Sequence, residues 1–350
     1  MVYLDYSATC PVVKYPQQLY RNVLGEGYFF NPNTNYAYKE KRLLSEAENR
    51  VKKAIGAKGG KVVFGGTSSQ LIENLFTHIY DETNEYLTIC SVYEHDSVWR
   101  FADQWGNIDS LKHAIQTYHG DKQLIVCLMG VNNLTGEIMP VEEIGRLCRK
   151  HDAFYICDMT AMIGKVPIPA NIDQWCDCAV WSGHKLGTEL GIGAMWISDR
   201  LDKWLNGFKL HGTPNLAGAL ALTQAVEDSC KTDVIMHYNS LYDVMFDTLK
   251  EYNVDFQIIS NGVKSCAINA IRLPGFNADA LQQYLASKQI YVSIGGSACA
   301  EKHDYRVLNA YGLNNDEASE VIRVSFGEDS SIDDVKMLVK EIKNFKELYL

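Results

Sequence analysis

No apolar run in this chain approaches the length of about 20 residues that a membrane-spanning helix needs. Its start, Met1-Val2-Tyr3-Leu4-Asp5, shows no basic segment followed by an apolar one, so neither a membrane protein nor a leader peptide is expected. No Lys/Arg cluster stands out against a net charge of −10, and nucleic acid is not expected as a direct partner. Cys176 and Cys178 are the one close cysteine pair, and no second Cys/His cluster accompanies them; a zinc site, or any metal site, is not expected. Gly65-Gly-Thr-Ser-Ser69 is not followed by Gly-Lys-Ser/Thr, which excludes a Walker phosphate loop. Internal repeats and low-complexity segments are lacking as well.

What is present belongs to an ordinary globular chain. Hydrophobic residues make up 47% and charged residues 22% of 350, enough for one large or two ordinary domains. Several of the ten cysteines sit inside apolar strand-like runs, as Cys90, Cys127 and Cys157 do. That is how reduced, packed thiols look, and it favours a cytoplasmic location.

Apolar runs alternate with helical periodicity along the first two thirds. Strands are predicted at Lys61–Phe64, Tyr86–Cys90, Leu124–Met129, Phe154–Cys157 and Cys178–Trp181. Helices lie between them, one with Leu71, Ile72, Leu75, Phe76 and Ile79 on one face and one opened by Pro140. Gly25 and Gly27 break an early helical segment, and Asn31-Pro32-Asn33-Thr34-Asn35 reads as a turn-rich loop. Alternation of this kind indicates an α/β domain with a mostly parallel sheet. Beyond about residue 233 the texture becomes α+β, with strand candidates at 254–259, 266–273, 290–294 and 321–326 and a last helix capped by Ser331. The expected division is a large domain over 14–232 and a small one made of 1–13 and 233–350.

Polar or ionisable residues end successive strands: His95, Asn133, Asp158, and Ser182 with His184 and Lys185. In a parallel sheet these ends share an edge and should converge on one crevice. The turn at Thr67-Ser68-Ser69 leads from a strand into a helix, an arrangement suited to an anion, although the same residues also cap ordinary helices. One ligand accounts for the set. A lysine able to form a Schiff base, a carboxylate to keep a pyridine nitrogen protonated, an imidazole face and a hydroxyl-rich helix start describe pyridoxal 5'-phosphate.

Nearly end to end, the chain resembles the cysteine desulfurases, in the class V aminotransferase group of fold type I pyridoxal-phosphate enzymes. The resemblance rests on Tyr3-Leu-Asp-Tyr-Ser-Ala-Thr-Cys-Pro11, Asn31-Pro32, Glu94-His95, Asn132-Asn133, Ser182-Gly-His-Lys185, Gly212-Thr213, Gly296-Ser-Ala-Cys299 and Ile322-Arg-Val-Ser325, all in family order. It implies the fold type I architecture, a mostly parallel seven-stranded-type sheet plus a smaller α+β domain that carries the Cys299 loop. It implies that Lys185 binds the cofactor and shuttles the Cα proton, that Asp158 pairs with the pyridinium nitrogen, and that His95 stacks on the ring. Ser68, Ser69, Ser182 and His184 would hold the phosphate. Thr213 would reach the phosphate of a partner subunit, which implies a homodimer with shared active sites. Asn133 and Arg323 would hold the carboxylate of L-cysteine. Cys299 would attack the substrate sulfur and keep it as a persulfide while alanine is released, and the sulfur would later pass to an acceptor such as an iron–sulfur scaffold protein.

The sequence departs from the family pattern in places. Ala161 stands where a glutamine is usual, Leu186–Leu190 lacks the usual Tyr-Gly-Pro-Lys, His211 replaces an arginine, and the stretch between Cys299 and Arg323 is short. Two other readings stay open on that account: a selenocysteine or cysteine-sulfinate lyase, or another β-elimination enzyme, on the same scaffold, and a weakly active scaffold for sulfur-carrier partners.

Overall fold

A computed structural model describes residues 1–27, 38–83, 85–229, 232–295 and 304–349. The chain divides into two compact units, Pro11–Gly130 with Met139–Lys231, and Met1–Cys10 with Val131–Ile138 and Thr232–Leu350. In chain order the first strands are β1 (Val2–Tyr3), β2 (Lys61–Gly65), β3 (Tyr86–Ser91), β4 (Gln104–Gly106) and β5 (Gln123–Cys127). There follow β6 (Phe154–Asp158), β7 (Cys178–Ser182), β8 (Gly193–Ile197), β9 (Gln257–Ile258) and β10 (Ile268–Arg272). The last are β11 (Ile290–Tyr291), β12 (Ser293–Ile294) and β13 (Val321–Ser325).

The larger unit is built on a seven-stranded sheet in the order β2-β8-β7-β6-β5-β3-β4. From β7 to β4 all pairs are parallel, and β8 lies antiparallel between β7 and β2. Two antiparallel steps leave β2 pointing the same way as β7. The carboxyl ends of β2, β3, β5, β6 and β7 therefore lie along one edge. Every residue of β6, β7 and β8 is buried, as expected for strands covered on both faces.

The helix Ser68–Glu82 shows why the covering layers form. Leu71, Ile72, Leu75, Phe76 and Ile79 recur at helical spacing and are 0–2% exposed. Each contributes about 1.5–3 kcal/mol by leaving water. Thr67 starts this helix with a reciprocal capping box to Gln70. The helix Val141–Lys150 begins after Pro140 with Glu142 and Glu143 and ends with Arg149 and Lys150, charges that suit its dipole.

Several sequence expectations need adjusting. The run expected as a strand to Met129 stops pairing with β3 at Cys127, and the Met129 N–H goes to the Glu94 carboxylate instead, while Leu128 and Gly130 still donate to the Ile156 and Asp158 carbonyls of β6. Gly25 lies inside the helix Lys14–Glu26, and it is Gly27, at φ 65°, that ends it. The helices Asp96–Trp99 and Ile108–Thr117 and the edge strand β4 were not anticipated.

The smaller unit carries an antiparallel sheet in the order β12-β13-β10-β9 and a parallel pair, β1 with β11. The run expected as one strand over 290–294 is two. Ile290–Tyr291 pairs with β1 and Ser293–Ile294 with β13. The final helix, Ile332–Tyr349, buries Val335, Leu338, Val339, Ile342 and Phe345, and Ser331 caps it through Asp334. Among the described residues, no helix is long and apolar enough to cross a membrane.

Candidate active site

The site in the larger unit grows from the carboxyl edge of its sheet. β7 ends at Ser182, and the chain tightens at once into a 3-10 turn, Gly183–Lys185. The turn is closed by Leu186 N–H and Thr188 N–H, both donating to the Gly183 carbonyl. Thr188 itself is 1% exposed and packs on Gly183, where a Cβ would collide with its hydroxyl. Gly187, at φ 74°, accepts from the Val13 N–H at 2.8 Å. The unusual Leu186–Leu190 sequence thus still forms an anchored turn behind Lys185.

His184 and Lys185 are both half-buried. Burial, and then the Lys185 charge, push the His184 imidazole down to about 4. His184 is therefore neutral at physiological pH and offers one donor and one acceptor nitrogen. Ser182 is 1% exposed, and its hydroxyl has no hydrogen-bond partner among the described residues. A buried hydroxyl left in this state is costly unless a ligand satisfies it.

One strand away, Asp158 ends β6 and is 8% exposed. Its Oδ1 accepts the Thr160 N–H at 2.9 Å, and its carbonyl accepts from Gly130 at 2.9 Å. The Thr160 hydroxyl is buried with no partner among the described residues. Ala161 follows it and brings no donor.

Beyond β3, His95 caps the short helix Asp96–Trp99. The Ser97 N–H donates to His95 Nδ1 at 3.2 Å, and the Ser97 hydroxyl lies 2.8 Å from the same nitrogen. Nδ1 is thus an acceptor, which places the proton of the neutral ring on Nε2.

On the other side of β7, β8 and β2 bring up the turn before the helix Ser68–Glu82. Ser182, Gly193 and Gly65 stand in register across three strands, with neighbours about 4.8 Å apart. A Cβ at Gly193 would collide with the carbonyls of Gly66 and Trp181. The glycine lets the Gly66–Ser69 turn close over the end of β7. Ser68 is buried and Ser69 half-buried at that helix start, and neither hydroxyl is used by a described residue. Thr67, which sequence reading left beside them, is committed to its cap.

These residues fit a phosphorylated pyridine. The orphaned Ser182 hydroxyl and the helix start suit a phosphate, neutral His184 stands beside them, and the Asp158 carboxylate and Lys185 amine rise from adjacent strand ends. Thr213 does not join this group. It is exposed, on the segment before the helix Leu216–Ser229.

The smaller unit holds the two residues expected to bind a carboxylate. Arg323 on β13 is 3% exposed. Its Nη2 donates to Asp5 Oδ1 and to Ser293 Oγ, both at 2.9 Å, and its Nη1 donates to the Asn133 carbonyl at 3.1 Å. Nε is buried with no partner among the described residues. The Asn133 carbonyl also accepts the Ser7 hydroxyl at 2.8 Å. Asp5 and Ser293 are functional candidates that sequence reading missed; the signal was Asp5 inside the resembling Tyr3–Pro11 opening. Cys299, with its Gly296–Cys299 motif, and the Asn31-Pro32 loop lie outside the described residues.

A lysine on the turn after a central strand, a carboxylate on the neighbouring strand end and a glycine-lined hydroxyl cradle on this sheet define a fold type I pyridoxal-phosphate enzyme. More narrowly, the chain belongs to the aminotransferase class-V family, whose sequence profile matches residues 2–338. Members of that family depend on pyridoxal phosphate. The chain is 28% identical over 395 aligned positions to a cysteine desulfurase IscS of Mannheimia succiniciproducens, covering 99% of this chain and 95% of that protein. It is 27% identical to the cysteine desulfurase IscS of Pasteurella multocida, over 98% of this chain and 92% of that one. In fold it matches a NifS-like protein from Rickettsia africae with a TM-score of 0.83 at 19% identity, over 99% and 100% of the two chains. An apo cysteine desulfurase of Thermococcus onnurineus matches with a TM-score of 0.80 at 20% identity, over 99% and 95%.

Proposed function

We propose that this protein is a pyridoxal-phosphate-dependent cysteine desulfurase that converts L-cysteine to L-alanine and keeps the sulfur as a persulfide on Cys299. The observation that carries the reading is the placement of Lys185 and Asp158 on adjacent strand ends beside the Ser182 and Ser68–Ser69 cradle, in a class-V chain aligned almost end to end with cysteine desulfurases.

When bound, the cofactor supplies an electron sink for the substrate Cα. Lys185 would hold the cofactor through its Nζ, and the same Nζ would carry the substrate Cα proton. Asp158 holds a proton at the ring nitrogen, helped by the fixed Thr160 N–H on Oδ1. His95 covers the ring and exchanges protons through Nε2. Ser68, Ser69, Ser182 and neutral His184 hold the phosphate, and Thr213 serves a second copy of the chain in a homodimer. From the smaller unit, Arg323 and Asn133 read the substrate carboxylate. The Cys299 thiolate attacks the substrate sulfur. The C–S bonding pair stays with the substrate carbon, which takes a proton and leaves as alanine, and the sulfur remains on Cys299. An acceptor protein, such as an iron–sulfur scaffold in the cytoplasm, then removes it.

Incubation with L-cysteine tests this reading. Alanine should appear, and Cys299 should gain the mass of one sulfur atom. Full alanine production by Cys299→Ala in the presence of reductant would overturn the persulfide step. Ala161, which offers no side-chain amide where the family usually has a glutamine, favours a second reading in which selenocysteine or cysteine sulfinate is the better substrate. Fast turnover of either beside slow turnover of cysteine would establish it. Absence of turnover with every amino acid would leave the scaffold role for sulfur-carrier partners.

A further inference from the structure

We propose that Glu94 is the positioning residue that sets His95 against Asp158. The inference rests on the role proposed above for His95. Glu94 is 1% exposed, at the turn where the chain leaves β3. Its Oε1 accepts the Ser91 hydroxyl at 2.6 Å and the Met129 N–H at 2.8 Å. The Ser91 hydroxyl in turn accepts the Tyr93 N–H at 3.2 Å. One carboxylate oxygen thus closes the Ser91–Glu94 turn on itself and ties it to the chain just past β5.

The tie continues to the cofactor's other contact. Gly130, the residue after Met129, donates its N–H to the Asp158 carbonyl at 2.9 Å. From Ser91 through Glu94, Met129 and Gly130 to Asp158, hydrogen bonds join the ends of β3, β5 and β6. His95 is the next residue after Glu94, and its ring is fixed in turn by Ser97. A planar ring gripped at its nitrogen by Asp158 and on its face by His95 needs these two strand ends in fixed register. Backbone pairing alone does not supply it, since the pairing of β3 with β5 stops at Cys90 and Cys127. Glu94 supplies the bond beyond that point.

The test is a double-mutant cycle on the holoenzyme, with cofactor absorbance, kcat and KM as readouts. Glu94→Ala should lower kcat about 10²-fold with KM little changed, as displacement of a catalytic group by about 1 Å does. It should also move the cofactor band toward that of His95→Ala. Adding Glu94→Ala to His95→Ala should cost little more. Glu94→Gln keeps an oxygen that accepts both hydrogen bonds and should stay within about threefold of the parent. In cofactor-free protein, the His95 imidazole NMR signal should shift in Glu94→Ala and return in Glu94→Gln. Losses that multiply in the double variant would overturn the inference, as would a normal band and kcat in Glu94→Ala. An impaired His95→Ala beside a normal Glu94→Ala sinks the positioning role alone; a normal His95→Ala sinks the reading of His95 and this inference with it.

Discussion

Arg323 Nη2 lies 2.9 Å from Asp5 Oδ1, and the Ser293 hydroxyl joins the pair by accepting from the same Nη2 and donating to Asp5 Oδ2 at 2.8 Å. The guanidinium is 3% exposed and its partner carboxylate is mostly buried. Removing one member of such a pair strands the other charge away from water. Asp5→Ala is expected to cost about 3–5 kcal/mol, read as a lower urea midpoint at unchanged slope. A loss below about 1 kcal/mol, the worth of a surface ion pair, would show that solvent reaches Arg323 freely.

His184 makes stability depend on pH in a defined window. Its folded value is held near 4 by burial and by Lys185, against about 6.5 in the unfolded chain. Between those values the unfolded state binds the extra proton, so stability rises with pH. The contribution is fully present above pH 6.5 and is lost as pH falls toward 4. Because His184 is only half-buried, about 1–2 kcal/mol is expected after allowance for solvent screening. Urea titrations of cofactor-free protein from pH 4 to 7, compared with His184→Gln, check this. Identical slopes in the two proteins would mean that His184 does not titrate as described.

Much of this architecture could be read from the residues. The face Leu71–Ile79 has helical period, and the unbroken apolar runs at Phe154–Cys157 and Cys178–Trp181 mark strands covered on both sides. Asp158 and Lys185 could be placed at strand ends for the same reason. What escaped was pairing over distance. The partner of Glu94 is a backbone N–H 35 residues away, and Asp5 and Arg323 are 318 residues apart; neither bond leaves a trace in periodicity. Ile290–Ile294 read as one strand because an apolar run does not say which neighbour each half will join. The Asp96–Trp99 helix and β4 are too short for a periodic signal.

Gly193 gives the phosphate cradle a test of its own. It stands between Gly65 and Ser182 across three paired strands, and an added Cβ would lie 2.5 Å from the Gly66 carbonyl oxygen and 2.9 Å from that of Trp181. The Trp181 oxygen is held within β7, whereas Gly66 belongs to the turn just past β2, so the turn is the part that must give way. Gly193→Ala should therefore lift the Gly66–Ser69 turn from the end of β7, at a cost of about 1–3 kcal/mol in stability. It should also loosen the cofactor, seen as faster loss of visible absorbance on dilution. Gly191→Ala is the control. Gly191 has φ 78° and nothing within 4 Å of its added Cβ, so that variant bears backbone strain of about 1 kcal/mol without touching the cradle. It should lose stability and keep the cofactor. If both variants retained cofactor equally, close approach at Gly193 would serve the sheet alone, and the phosphate would have to be held by Ser182 and His184 without help from the turn.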